Sequence, residues 1–348
     1  MHIAVDAMGG DHAPAAVVAG AYDAAVKDGV QVLLVGRRKD VERQLKRVGK
    51  PSHLIEIVNA EQVVGMDEPA ITPIRRKRDS SIRVCCELVR AGNAEAMVSF
   101  GNTGAALTAA KMVIGVTRGV ERPALAAVFP SKGGRTIVLD VGANVRTKPE
   151  QLRQFAVMGH FYAQEVLGDP APRIGLLSIG EEEAKGNEAT KQGFKVLQET
   201  GLNFIGNVEG RDVFEGSVDV VVCDGFVGNV LLKSAESMAA LIASMLREEL
   251  SASWRTRLGF LLAQPGLERL KRRTDYQETG AVPLLGLEGG CFIGHGRSQG
   301  KAVRNAIRQA VDYCDAGLLR KIRSKVAELH EQEERLLGAG AVREAPVA

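Results

Sequence analysis

Aromatic residues are scarce in this chain: 4% of 348 residues, with a single tryptophan. Its core must therefore rest on Val, Leu, Ile and Ala rather than on stacked rings. Cysteine is scarce too. The five present (Cys85, Cys86, Cys223, Cys291, Cys314) are odd in number and lack metal-ligand spacing. Adjacent Cys85 and Cys86 make a poor disulfide framework, so a reducing, cytoplasmic compartment is expected. Excess charge is missing as well: 45 basic against 42 acidic residues leave a net +3, no global field for nucleic acid. No basic stretch leads into an apolar one at the N-terminus, and no apolar run reaches the ~20 residues of a membrane span. Neither a signal peptide nor a spanning helix is expected.

Familiar motifs are absent. Without G-x-x-x-x-G-K-[ST] there is no P-loop. Without G-x-S-x-G there is no serine elbow, and without H-E-x-x-H or a Cys/His set no metal is expected. Gly294-His295-Gly296-Arg297-Ser298-Gln299-Gly300 misses the dinucleotide fingerprint by one residue, and its downstream acids fall on a helix. Cys223 ends the run VVVC and reads as strand core rather than nucleophile.

Glycine is abundant, at 39 residues, and often closes a short apolar run. Strands are expected at 2–7, 30–36, 53–59, 96–100, 136–142, 173–180, 204–208 and 218–225, with helices at 14–28, 80–91, 103–114, 149–167, 187–199 and 228–250. Such alternation implies a three-layer α/β/α, doubly wound, mostly parallel sheet. The runs LLV, IVL and VVV fit strands buried on both faces. With no repeat and no Pro/Ser-rich linker, residues 1–331 read as one unit. A helical hairpin protrudes at about 240–275, and 332–348 form a tail expected to fray.

Ligands of such sheets bind beyond the carboxyl ends of the strands. Those exits read DAMGGDH, SFGNTGA, LDVGAN, SIGEEEAKGNE, CDGFVGN and GHGRSQG, and six polar glycine turns at equivalent positions read as one site. Gly101-Asn102-Thr103-Gly104 opens a helix, where it suits an anion or simply caps the helix. Asn144 and Gly225 to Asn229 repeat that chemistry, giving neutral donors for a small anion or a developing oxyanion. Asp6 and Asp224 end buried strands, as proton-transfer groups or as caps. Lys185, just before Gly186-Asn187, can reach an anion. His295, flanked by glycines, is the histidine best placed to protonate a leaving thiolate or steady a phosphate. His12 comes second, while His2, His53, His160 and His330 read as structural or solvent-facing.

Two basic clusters remain. Arg75-Arg76-Lys77-Arg78 is a solvated face or a landing site for an acidic partner. Trp254, Leu258, Phe260, Leu261 and Leu262, with Lys271, Arg272 and Arg273, read as a hairpin turned at Gln264-Pro265-Gly266. Its apolar tip can enter an anionic membrane surface or pack on a second subunit.

AVDAMGGDHAP, DEPAITPIRRKRDSSI, SFGNTGA, LDVGAN, SIGEEEAKGNE, NVEGRD, VVVCDGFVGNVLLK and GAVPLLGLEG follow one another along the chain. With these, from residue 1 to about 315, it resembles the PlsX phosphate acyltransferases of bacterial phospholipid synthesis. The resemblance implies transfer of a long-chain fatty acyl group from acyl carrier protein to inorganic phosphate, giving acyl phosphate. It further implies a fold like the phosphate acetyl/butyryltransferases, a homodimer, no cofactor, and a downstream PlsY acyltransferase at the membrane. On that reading Asp6, Gly9, Gly10 and His12 line one wall of a pocket for phosphate and thioester. Asn102, Thr103, Asn144, Asn187, Gly225, Asn229 and Gly296 complete it, and His295, Lys185 and Asp224 are the catalytic candidates. The chain departs from the family pattern at Cys291, Phe292 and Arg297. The alternatives are a nucleotide-dependent oxidoreductase of similar architecture and a membrane-surface scaffold acting through the hairpin.

Overall fold

The structure is a computed structural model that describes residues 1–274 and 280–329, the side chains of 72–74 and 270–274 excepted. The expected tail at 332–348 and His330 lie outside the described residues. Eleven strands form one sheet: β1 (His2–Asp6), β2 (Gln31–Gly36), β3 (Ile55–Asn59), β4 (Ala96–Ser99), β5 (Ala124–Ser131), β6 (Gly134–Leu139), β7 (Ile174–Leu177), β8 (Phe204–Val208), β9 (Val220–Val222), β10 (Ala281–Leu285) and β11 (Gly290–Gly294). Their order is β3-β2-β1-β4-β11-β10-β5-β6-β9-β7-β8.

Alternation along each strand divides the core between the two faces. Ile3 and Val5 of β1 and Val32 and Leu34 of β2 pack on one side. Ala4, Leu33 and Val35 pack on the other. The first side is covered by α1 (Ala15–Asp28), α6 (Pro149–Val166), α7 (Glu188–Gln198), α11 (Gly300–Asp315) and a final described helix, α12 (318–329). The second is covered by α4 (Ser81–Arg90), α5 (Thr103–Ala109, ending in a π turn at Ala110–Ile114), α8 (Asp212–Glu215) and the start of α9 (Gly225–Ser251). The other helices are α2 (Arg38–Val48), α3 (Ile71–Arg76) and α10 (Trp254–Thr274). Three layers follow, as expected.

Polarity holds a surprise. β3, β2, β1, β4 and β11 are mutually parallel, and so are β6, β9, β7 and β8. Between them β10 pairs antiparallel with β11 and β5, and β5 antiparallel with β6. The two parallel halves therefore run in opposite directions. β5 and β10 are absent from the strands expected above: Pro283 stands in the middle of β10, where proline ordinarily argues against a strand, and β5 opens on the alanine-rich run ALAAVF, whose strand propensity is weak. Pro283 nevertheless sits in register opposite Phe292.

The hairpin also differs from expectation. The chain reverses at Ala252-Ser253, and α10 continues through Pro265. A reciprocal cap makes the turn: Ser253 Oγ accepts the Thr256 N–H at 3.2 Å and Thr256 Oγ1 accepts the Ser253 N–H at 3.1 Å. Two satisfied helix-end donors here fix the reversal upstream of the Pro-Gly pair. α9, with 27 residues and 6% burial over its most apolar window, has the length and mean composition of a spanning helix, although Lys233 and Glu236 interrupt its apolar run as the sequence indicated. Its start, however, is built into the sheet. Gly225 and Gly228 are buried, and Leu231, Leu232 and Ala235 pack against the core.

Candidate functional site

The exits of β1, β4 and β11, neighbouring strands of the first half, interlock. Asp6 is buried and accepts the Ser99 hydroxyl at 2.7 Å and the Met8 N–H at 3.2 Å. Burial pushes its carboxyl above the usual range, against the lowering effect of the Ser81 and Ser99 hydroxyls. Asp6 thus shapes the turn that follows. A Cβ on Gly9 would lie 2.6 Å from Asp6 Oδ2 and 2.7 Å from the Gly101 nitrogen. Gly10 has φ +107°, a left-handed value that side chains disfavour. The Asp11 N–H then donates to the Gly296 carbonyl at 2.8 Å, tying the first turn to the last.

His295 is half-buried at the end of β11. Its Nδ1 accepts the Arg297 N–H at 3.3 Å, which places the proton of the neutral ring on Nε2. Burial is the main cause holding its pKa below the ordinary 6.5, and Lys233 and Arg297 act in the same direction; Glu236 and Asp11 oppose them. His295 is therefore a neutral donor at neutral pH rather than a charged acid. His12 is exposed, and its carbonyl accepts the Ala16 N–H at 3.0 Å.

Asn102 takes the helix-cap alternative of the sequence reading. Its Oδ1 caps α5 by accepting the Ala105 N–H at 3.0 Å, and its amide donates to the carbonyls of Met66 and Glu68, both at 2.9 Å. Both ends of this side chain clamp the 65–68 loop against α5, leaving the amide no proton for an anion. Thr103 is exposed beside it, and Met66 lies against Gly296.

A second cluster forms where β6 and β9 end. Asp140 is fully buried and accepts five hydrogen bonds: the Leu125, Gly142, Ala143 and Asn144 N–H groups at 3.0, 3.1, 3.0 and 2.6 Å, and the Asn144 amide at 2.9 Å. Burial nevertheless raises its pKa. Sequence reading passed over Asp140, although LDVGAN places it at a strand end as Asp6 stands in β1. Asn144 gives its remaining amide hydrogen to the Pro123 carbonyl at 2.8 Å, so it too positions the turn rather than offering a free donor. Asp224 caps α9 through the Val227 N–H at 2.9 Å, the helix-cap alternative of the sequence reading. Gly225 donates to the Asn144 carbonyl at 2.8 Å. Any Cβ on Gly228 would strike the Asp140 carbonyl. Asn229, the next residue, is exposed with its side chain alongside Gly142. Burial drives the Cys223 thiol well up, consistent with its core reading.

At the β7 exit Lys185 is exposed on a turn, and Asn187 caps α7 by accepting the Thr190 N–H at 2.9 Å. The six turns thus fall into two groups on strands of opposite polarity. α9 joins them: it begins in the second group and carries Lys233 and Glu236, ion-paired at 2.9 Å, into the electrostatic surroundings of His295. From Gly225 to Lys233 the helix rises only ~12 Å. Across the five strand steps between β4 and β9, the usual ~20–25° twist per step turns one half by more than ~100° relative to the other. Opposite polarity therefore does not hold the two sets of exits at opposite ends.

The basic residues divide. Arg75, Arg76 and Arg78 are exposed, whereas Lys77 bonds Glu68 at 2.6 Å and the Val63 carbonyl at 2.9 Å. Lys77 thus ties the basic run to the loop that Asn102 holds. Leu258, Phe260, Leu261 and Leu262 are exposed along α10. The side chains of Lys271, Arg272 and Arg273 lie outside the described residues.

Residues 1–321 match the model of a family described as fatty acid synthesis protein. A phosphate acyltransferase of Pelotomaculum thermopropionicum is 48% identical over 329 residues, covering 94% of this chain and 96% of that protein. One of Geobacter sulfurreducens is 47% identical over 326 residues, covering 94% of each. Among solved structures, a phosphotransacetylase from Streptococcus pyogenes superposes with a TM-score of 0.62 at 16% identity, over 90% of this chain and 93% of that one. This last likeness concerns the fold alone.

Proposed function

The chain belongs to the fatty acid synthesis protein family, whose relatives are named phosphate acyltransferases, and from that premise we infer that it transfers an acyl group from a carrier-bound thioester to inorganic phosphate. The observation that carries this reading in the geometry is the pair of aspartate-organised glycine turns joined by α9 beside a neutral histidine. A phosphate oxygen attacks the thioester carbon, the C–S bond breaks, and acyl phosphate leaves with a thiol. Hydrogen phosphate brings one proton and the departing sulfur needs one, so the site must guide a proton rather than supply one. The Nε2–H of His295 suits a hydrogen bond to the developing oxyanion or thiolate, a kind of contact worth ~3 kcal/mol of barrier. The Asn229 amide and the Lys185 ammonium are the exposed groups for phosphate. Asp6, Asp140, Asn102 and Asn144 hold the turns. The fingerprint of the oxidoreductase alternative is missing, and that reading is not favoured.

The finer reading follows from the resemblance to the PlsX phosphate acyltransferases. The donor is acyl carrier protein with a long fatty chain, and the product feeds phospholipid synthesis through a PlsY-type acyltransferase. The enzyme acts in the cytoplasm, in transient contact with the membrane face. Met238, Leu241, Ile242 and Met245 stand 57, 53, 57 and 57% exposed at helical spacing on α9. Such an apolar stripe is covered in a homodimer. The test is incubation with palmitoyl-acyl carrier protein, with and without phosphate, trapping products with hydroxylamine. Phosphate-dependent hydroxamate with matching thiol release is expected. Thiol release without phosphate would make the protein a thioesterase, and no release across several chain lengths would end the transferase reading.

A further inference from the structure

α4 is amphipathic. Ile82, Cys85, Cys86 and Val89 are buried in the core, while Arg83, Glu87 and Arg90 recur at i, i+4 and i+7 on one outward stripe. Facing that stripe are Arg75 and Arg78 from the end of α3 and beyond, and Met112 from the π turn that closes α5. Together they line a half-open cavity of about 500 Å³. Four arginines here meet a single acid, Glu87, which Arg83 already engages at 2.8 Å. Like charges gathered in a concavity repel one another, and an anionic occupant removes that repulsion. Guanidinium forks favour planar carboxylates, taken two bonds at a time.

We propose that this arginine cavity is the docking surface for the acidic face of the protein that carries the acyl thioester, distinct from the α9–α10 hairpin. The proposal rests on the acyl-transfer reading above. Shape selects a protein partner over a lipid surface. The cavity is concave, and its rim exposes one large apolar side chain, Met112, at 54%. A projecting acidic helix with an apolar residue fills that space, whereas a bilayer favours the row of exposed leucines on α10. Placement supports the same occupant. Along the chain, α3 connects the 65–68 loop to Arg75 at the cavity. That loop is held by Asn102 and Lys77, and its Met66 touches Gly296, next to His295. A carrier docked on the arginines is linked to the glycine turns through α3 and this loop.

The experiment uses the full chain and the variants Arg78→Glu, Arg90→Glu and the charge-keeping Arg90→Lys. Each is assayed with acyl-carrier protein and with an acyl-pantetheine, which presents the same thioester without the protein. Binding is measured in parallel with labelled apo-carrier protein and with phosphatidylglycerol vesicles. The charge reversals are expected to raise KM for acyl-carrier protein at least tenfold with kcat unchanged, to leave acyl-pantetheine turnover unaltered, and to abolish carrier binding while vesicle binding persists. Arg90→Lys should recover most of the affinity, and wild-type binding should weaken steeply with salt. Unchanged carrier KM, equal loss with acyl-pantetheine, or loss of vesicle rather than carrier binding would each overturn the proposal. If no thioester is turned over at all, the transferase reading fails, and the carrier-binding measurement alone still decides the dock.

Discussion

His295 shows why a residue's type does not settle its role. From the sequence it reads as a group that protonates a thiolate near neutrality. In the structure, burial and the nearby Lys233 depress its pKa below 6.5, and the Arg297 N–H occupies Nδ1. The unfolded chain therefore binds that proton more tightly than the fold does. Stability falls as pH drops from 6.5 through the lowered native value, and catalysis loses its neutral donor over the same window. The acid limb of kcat/KM is expected to lie below pH 6.5. In His295→Gln, which keeps a donor of different reach, kcat should drop ~10²–10³-fold and the limb should flatten. A limb that persists unchanged in His295→Gln would assign it to another group. Asn102 and Asn144 carry the same lesson. Their side chains suit an anion, but neighbouring carbonyls and Asp140 take their amide hydrogens first.

At the scale of elements, periodicity made most helices and buried strands legible, because both faces of the sheet demand apolar runs. Pro283 hid β10, since a proline in a strand is tolerated only where the ladder spares its missing N–H, and no local pattern reveals that; alanine-rich ALAAVF gave β5 a weak strand signal. The hairpin reversal was misplaced for a related reason: Pro265-Gly266 is the stronger turn signal, but the Ser253–Thr256 cap supplies the missing hydrogen bonds earlier. α9 itself carries the element-scale prediction. Its four exposed apolar side chains are worth ~1.5–3 kcal/mol each if covered. Replacing Leu241 and Met245 by Asp should convert a dimer into a monomer in sedimentation or light-scattering measurements. The site half of α9 stays in place, because Leu231, Leu232 and Ala235 anchor it to the core. A monomeric wild type would end the dimer reading, and a variant that stays dimeric would place the interface elsewhere.

For the whole molecule, the six polar glycine turns were readable one by one, but their relation was not. Strand exits were expected at one edge, as in a single parallel sheet. The antiparallel centre made by β10 and β5 reverses the second half instead, and α9, starting beside Asp140 and passing His295, connects the two groups. Long-range strand order of this kind has no signature in local composition. It does have a consequence in solution. If one ligand spans both groups, phosphate with a non-hydrolysable acyl-phosphate analogue should slow amide hydrogen exchange together at residues 9–12 and 294–297 and at 142–146 and 225–230. Asn229→Ala should weaken protection in both groups at once, because a ligand released at one end no longer orders the other. An exposed change distant from both, Arg43→Ala, should leave the pattern intact. Protection confined to one group would mean that the two sets of turns serve separate purposes, and that the fold holds two half-sites where the acyl-transfer reading requires one.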